Sequence, residues 1–222
     1  MGENTIQSIG RGASPDRRSI IMGHRKPGER LDVEEIARQY NTSITPLRDA
    51  LQMLTQEGLV SIKPRSGYFV TRMTLKQLRD MMELRKILEL AAVERAAMRI
   101  TPAQIQELRS VHAGYTGDDD VSYDRYTDEN RKFHVTIAIA SGNMELAEMI
   151  GRLHDRLARF MVLRHAGQSQ EYTHAKIVDA LERHDPEAAK RALLDDIEVS
   201  HDEIIDEILE EKANSWHVDT TR

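Results

Sequence analysis

PGERLDVEEIARQYNTSITPLRDALQMLTQEGLVSIKPRSGYFV, residues 27–70, is the stretch from which the fold is read. Val33, Ile36, Ala37 and Tyr40 recur at helical spacing. Asn41 and Thr42 break that period. Ser43 is a good N-cap for a second helix, with Thr45 and Pro46 in a first turn where a missing N–H costs little. Leu47, Leu51 and Leu54 share one face of this helix, and Gly58 stops it. Residues 59–70 are apolar, then turn-like around Pro64 and Gly67, then apolar again, which is the pattern of a β-hairpin.

Two helices joined by a tight turn and followed by a hairpin make a winged helix-turn-helix. If the leucines of the second helix are buried, Ser43, Thr45, Arg48, Asp49 and Gln52 point outward. Short polar groups at a helix start reach phosphates or base edges, and the helix dipole favours phosphate there. Arg48 is best placed to reach a guanine edge or a phosphate. The same pattern also suits a core helix with a solvated polar face, and the residues alone do not choose between the two.

Outward from this stretch, residues 1–13 read as a loose polar arm. A short helix is expected from Ser14 to Met22, with Pro15 at its first position and Gly23 at its end. Residues 26–31 read as a turn and a short strand. Everything downstream reads as helix. Thr74 with Gln77 forms a capping box for a helix reaching Arg99, and Thr101 with Gln104 forms another. Gly117 and the aspartates up to Asp120 form a solvated loop that lacks the spacing of a calcium site. Further helices are expected from Ser122 to Gly142 and from Asn143 to Arg164. After a break at residues 165–169, helices run to Arg183 and from Asp185-Pro186 to Glu211. The ten methionines read as core filler.

Composition limits the classes. With 222 residues, 40% of them hydrophobic and 31% charged, the chain has room for two domains with their own cores. No apolar run approaches a membrane span, and MGENTIQSIG has neither a signal pattern nor, with Ile6, a myristoylation pattern. There are no cysteines, so disulfide and thiolate chemistry are excluded and a cytoplasmic location is expected. The net charge of −6 is unevenly spread: residues 1–75 carry +3 and residues 76–222 carry −9. A basic head on an acidic body suits a protein whose first domain alone approaches phosphate.

The stretch quoted above resembles the winged helix-turn-helix of GntR-type bacterial regulators. The PGERL opening, the Ile36-Ala37 helix, SITPLRDAL, the Leu54–Leu59 turn and the closing GYFV carry the resemblance, which covers residues 15–72. It implies contacts with double-stranded operator DNA from Ser43, Thr45 and Arg48, and from the wing residues Arg65 and Gly67; Gln52, on the same outward face, is expected to join them. The chain departs from the pattern at Ile44, where the family usually has arginine.

ELRKILELAAVERAA (83–97), NRKFH (130–134), ASGN (140–143) and ERHDPEAAKRALLDDI (182–197) resemble the helical FCD domain of the FadR subfamily. That resemblance covers residues 74–210. It implies an antiparallel bundle of six or seven helices around a small-molecule cavity, and a homodimer. Many members hold a metal, and their ligand motif falls here on Asn130 and His134, one turn apart, with His174. Asp196 stands where a third histidine is usual. Two nitrogens and two oxygens suit zinc, nickel, manganese or iron; without an ion the histidines are hydrogen-bonded cavity residues. Arg85 lies on a largely apolar helix and needs an anionic partner, either an effector carboxylate or Glu89 at i+4. Arg85, His134 and His174 together favour a small organic or sugar acid. His154, Arg156 and Arg159 read as solvated or interfacial.

The expected architecture is mainly α. Residues 1–13 form an arm, 14–73 a winged helix-turn-helix with a small β-hairpin, 74–212 an antiparallel all-helical FCD bundle for effector binding and dimerisation, and 213–222 a tail. The expected function is a DNA-binding repressor under effector control, with no membrane partner. A DNA-binding dimer without effector is one alternative. A metal-dependent hydrolase using His134, His174 and Asp196 is another, but no nucleophile–base pair accompanies those residues and no enzyme explains the basic head.

Overall fold

The computed structural model describes residues 15–111, 120–163 and 167–211. They form two compact units divided between Leu75 and Lys76. The arm over 1–13, the tail and most of the Gly117–Asp120 loop lie outside the described residues.

The first unit runs α1 (Pro15–Ile21), β1 (Arg30–Leu31), α2 (Val33–Gln39), α3 (Ile44–Gln56), β2 (Val60–Lys63) and β3 (Gly67–Val70). Asp32 caps α2, its carboxylate accepting from the N–H groups of Glu34 and Glu35 at 3.0 Å each. Leu47, Leu51 and Leu54 of α3 are buried with Ile36 and Ala37 of α2. Each such leucine is worth about 2 kcal/mol of hydrophobic stabilisation, which fixes the outward face of α3. Ser43 sits at the N-cap in extended conformation but makes no side-chain cap bond. The sheet is antiparallel in the order β1-β3-β2, with Leu31 opposite Tyr68 and Lys63 opposite Gly67. Gly67 thus starts β3 rather than sitting at the tip, and Arg65 turns the corner with a φ of 60°.

The second unit holds α4 (Leu75–Ala97), α5 (Pro102–Ser110), α6 (Asp120–Ala140), α7 (Met144–Leu163), α8 (Gly167–Glu182) and α9 (Pro186–Glu211). The capping box of α5 is complete: Thr101 Oγ1 accepts from the Gln104 N–H, and the Gln104 side chain accepts from the Thr101 N–H. Two helices start earlier than the sequence suggests, α6 at Asp120 rather than Ser122 and α8 at Gly167 inside the expected break. Asp and Gly are tolerated in a first turn, and packing further along each helix outweighs local propensity.

Phe133 and Ile137 of α6, Ile177 and Leu181 of α8 and Leu193 of α9 pack with Val93 of α4 in the main core. Methionine use is mixed: Met81, Met82 and Met161 are buried, while Met98, Met144 and Met149 are exposed. Gly142 ends α6 with a φ of 78°, and a Cβ there would lie 2.6 Å from Arg99 Nη1. That guanidinium donates to the Ser141 carbonyl at 3.1 Å, close to the helix end. Only residues 141–143 separate α6 from α7. Arg131 then ties the hairpin, donating to both Asp155 oxygens at 2.7 and 3.3 Å. No helix among the described residues is long and apolar enough to cross a membrane.

Candidate functional site

In the first unit the outward face of α3 carries Ser43, Ile44, Thr45, Arg48, Asp49 and Gln52, all exposed. Arg65 is exposed at the wing tip and Gly67 is half-buried beside it. The six expected DNA contacts therefore lie on the two surfaces a winged helix-turn-helix presents: the start of its second helix and its hairpin.

In the second unit five helices send polar side chains to one buried cluster. Arg85 and Glu89 come from α4, His134 from α6, His154 from α7, His174 from α8 and Asp196 from α9, and all six are nearly inaccessible to solvent. Arg85 donates from Nε to Glu89 Oε1 at 2.9 Å and from Nη2 to Asp196 Oδ2 at 3.4 Å. Its Nη2 also lies 3.2 Å from His134 Nε2. Glu89 Oε1 is 2.7 Å from His154 Nε2, which donates to it. Glu89 Oε2 is 2.7 Å from His134 Nδ1; that oxygen makes no well-aligned hydrogen bond, so the contact is electrostatic. Thr173 donates to Asp196 Oδ1 at 2.6 Å, and His174 Nε2 lies 3.6 Å from the same oxygen. Ring packing fixes the imidazoles: His174 stacks on Phe133 at 3.8 Å, and His134 on His154 at 4.6 Å between centroids. Arg85 Nη1 alone among the arginine's nitrogens has no hydrogen-bond partner.

The charges follow from this geometry. Burial alone would raise Glu89, but His134, Arg85 and His154 around it hold its carboxyl well below the usual range. Burial works against the Arg85 charge, yet Glu89 and Asp196 raise it above its ordinary value. Desolvation pushes His154 down to about 3 despite the pull of Glu89, so its ring is neutral near pH 7.

Arg85, His134, His174 and Asp196 are thus brought together, and Asn130 is buried one turn before His134 on α6. Of the two partners open to Arg85, the structure supplies the internal one, Glu89, and adds Asp196. His154 and Arg159 are buried rather than solvated, which corrects the expectation for them; Arg156 is exposed. The signal was present for His154: it lies between Ile150 and Ala158 at i±4, on the apolar stripe of α7.

Among the described residues two donor sets lie within ligand spacing, Glu89 with His134 and His154, and His134 with His174 and Asp196. The first is closed by the contacts at 2.7 Å just described. The second is wider, with His134 Nε2 at 3.9 Å and His174 Nε2 at 3.6 Å from Asp196 oxygens. Ligands about 2.1 Å from a tetrahedral ion are separated by about 3.4 Å, so these gaps need little adjustment. With the His134 proton on Nδ1 facing Glu89, its Nε2 lone pair is left for an ion, the carboxylate–histidine pattern of metal centres. The donors fit a divalent ion. The competitor for His134 Nε2 and Asp196 is Arg85 Nη2, held to them only at 3.2 and 3.4 Å.

A winged helix-turn-helix followed by a helical unit with a buried polar centre defines the class of transcription regulators that bind DNA through the head. The comparisons place the chain within it. Residues 17–70 match the bacterial regulatory proteins of the gntR family, and residues 80–199 match the FCD domain. The chain belongs to the GntR family, in the FCD-containing FadR subfamily. It is 28% identical over 207 residues to the HTH-type transcriptional regulator YdhC of Bacillus subtilis, covering 88% of this chain and 89% of that one. It is 28% identical over 183 residues to the transcriptional repressor RspR of Escherichia coli, covering 80% of each. The solved structure of Escherichia coli McbR/YncC superposes with a TM-score of 0.69 at 25% identity, over 96% of this chain and 100% of that one. These relatives are transcription regulators and not enzymes.

Proposed function

We propose that the chain is a homodimeric repressor whose operator affinity is set by a small carboxylate effector bound at the Arg85 cluster. The observation that carries this reading is the cluster itself. A fully buried arginine, three histidines and two carboxylates from five helices cost folding free energy, and a hydrophobic core would serve a purely dimerising bundle better. RspR being named a repressor supports the sign of regulation. Leu84 and Ile87, exposed on α4, support a self-association surface. One recognition helix reads only a few base pairs, and two related by a two-fold axis read a palindrome.

His134, His174 and Asp196, with Asn130 one turn before His134, are the residues that would hold a zinc, nickel, manganese or iron ion. The permanent charges, Arg85 against Glu89 and Asp196, leave one negative charge in excess; a divalent ion reverses that to one positive, which an effector monocarboxylate cancels. Arg85, anchored through Nε to Glu89 and through Nη2 to Asp196, has Nη1 left to donate to that carboxylate. Glu89 keeps the His134 and His154 rings oriented, and Phe133 stacks on one face of the His174 ring.

A thermal-shift screen of organic and sugar acids, run with each metal and with chelator, tests this. A ligand at 100 times its dissociation constant stabilises by about 2.7 kcal/mol, and the same acid should change operator affinity in fluorescence anisotropy. His134→Ala should lose metal content and effector response while keeping DNA binding. Stable binding of one monomer per operator in light scattering overturns the dimer. Acids that bind without changing DNA affinity, or none that bind, overturn effector control.

A further inference from the structure

Ile44 is the first residue of α3 and is 41% exposed. It plays no part in the core of that helix, which Leu47, Leu51 and Leu54 supply at 5%, 0% and 3% exposure. Its neighbours on the outward face, Ser43, Thr45, Arg48 and Asp49, are all polar and exposed. It also borders a surface groove with Ala37, Arg38, Asn41 and Thr42 of the preceding helix and turn. A single exposed isoleucine on a protein surface needs no explanation. This one stands at the end of the helix that enters the major groove, where a side chain meets base edges.

We infer that Ile44 reads the C5-methyl group of a thymine in the operator. That methyl is the apolar group displayed in the major groove, and it distinguishes thymine from every other base there. An aliphatic side chain cannot hydrogen-bond to a base edge, and against any polar edge it would strip water without replacing it. The position of the thymine follows from the helix. Ile44 and Arg48 are i and i+4, stacked on one flank of α3. They are about 6 Å apart along the helix axis, and base pairs step by about 3.4 Å. The thymine therefore lies within two base pairs of the base that Arg48 contacts. Ser43, whose side chain makes no cap bond, sits beside it with a hydroxyl available to phosphate. This inference rests on α3 being the reading helix and is independent of the effector.

The test uses the full-length protein. An operator is selected from random duplexes, and each thymine of a half-site is replaced by deoxyuridine, which removes only the methyl. At one thymine, within two base pairs of the position where Arg48→Ala loses discrimination, wild type should bind about fourfold more weakly, the worth of one buried methyl. Ile44→Ala should be indifferent to the replacement there, and Ile44→Val should keep part of the wild-type response. Circular-dichroism melting of both variants checks that the head is folded. Wild type indifferent to uracil at every thymine overturns the inference, and that result needs no variant. So does an equal uracil effect in wild type and Ile44→Ala, or an operator with no thymine in that window. A protein that enriches no sequence at all overturns the assignment of α3 itself, a different outcome from any of these.

Discussion

Glu89 Oε1 lies 2.9 Å from Arg85 Nε, one turn earlier on α4, and 2.7 Å from His154 Nε2 across the bundle. One carboxylate oxygen thus joins the α4 arginine to α7. Removing its charge leaves the buried guanidinium with one counter-charge, Asp196, held at 3.4 Å. Breaking one partner of a buried ion pair costs about 3–5 kcal/mol. Glu89→Gln should lower the unfolding free energy from urea titration by that much, with the loss in the helical unit. A change below about 1 kcal/mol would mean that the pair is solvated in solution.

The buried neutral His154 predicts an acid-sensitive fold. Its folded pKa of about 3 lies below the unfolded value of about 6.5. Between those values the unfolded chain binds the extra proton, so the contribution is complete above pH 6.5 and is lost as pH falls toward 3. At pH 5.5 the loss is about 1.4 kcal/mol. Glu89, held below its ordinary range, adds a second loss in the same direction once pH falls below about 4.3. Urea titrations of wild type and His154→Gln at pH 8 and 5.5 check this: the variant should lose less between the two pH values. Equal losses would assign the acid sensitivity to other groups.

Arg48→Ala and Arg65→Ala should fail differently. Arg48 is exposed on the reading face of α3, and losing a bidentate base contact costs about 1–3 kcal/mol on the preferred operator and relaxes choice at that base. Arg65, exposed at the wing tip with a left-handed backbone, should lower affinity on all duplexes alike and reduce the salt dependence by about one phosphate contact. Anisotropy titrations over a salt series separate the two. Unchanged operator affinity of Arg48→Ala would remove it from the interface.

Only residues 71–74 join β3 to α4, which makes this segment a covalent route for the proposed coupling between effector and DNA. By linkage, operator DNA changes effector affinity by the factor with which effector changes DNA affinity, typically about 5–150-fold. Inserting Gly-Gly-Ser after Met73 should leave both ligands bound and remove the mutual effect. Calorimetric effector titrations with and without operator, in both proteins, measure it. A wild type that binds both without mutual effect would reduce the helical unit to a dimerisation domain.

The head was legible in sequence because its signals are local. Leu47, Leu51 and Leu54 at helical spacing, Asn41-Thr42 between two periodic runs, and Pro64 and Gly67 between two apolar runs each act within a few residues. The side of α3 that is exposed follows from which side is apolar. In the helical unit the caps at Thr101 and Asn143 were equally local, and the Asn143 side chain accepts from the Leu146 N–H at 3.1 Å. Asn130, His134, His174 and Asp196 were singled out through a resemblance rather than through any periodicity.

What the sequence by itself determined is the order and type of elements, the face of each helix that is apolar, and a basic head on an acidic body. What only the tertiary structure decided is which polar groups on those apolar faces meet. The sequence places His154 on the apolar stripe of α7 without naming its partner, and Glu89 reads only as a local partner at i+4. Their 2.7 Å contact joins residues 65 positions apart, across helices whose rotation and depth are set by the packing of Phe133, Ile137, Ile177 and Leu181. Contacts of that separation depend on three-dimensional packing summed over several helices, and no short window of sequence contains it. The burial that turns these groups into one charge-coupled site, and strips the proton from His154, arises only when all five helices are in place.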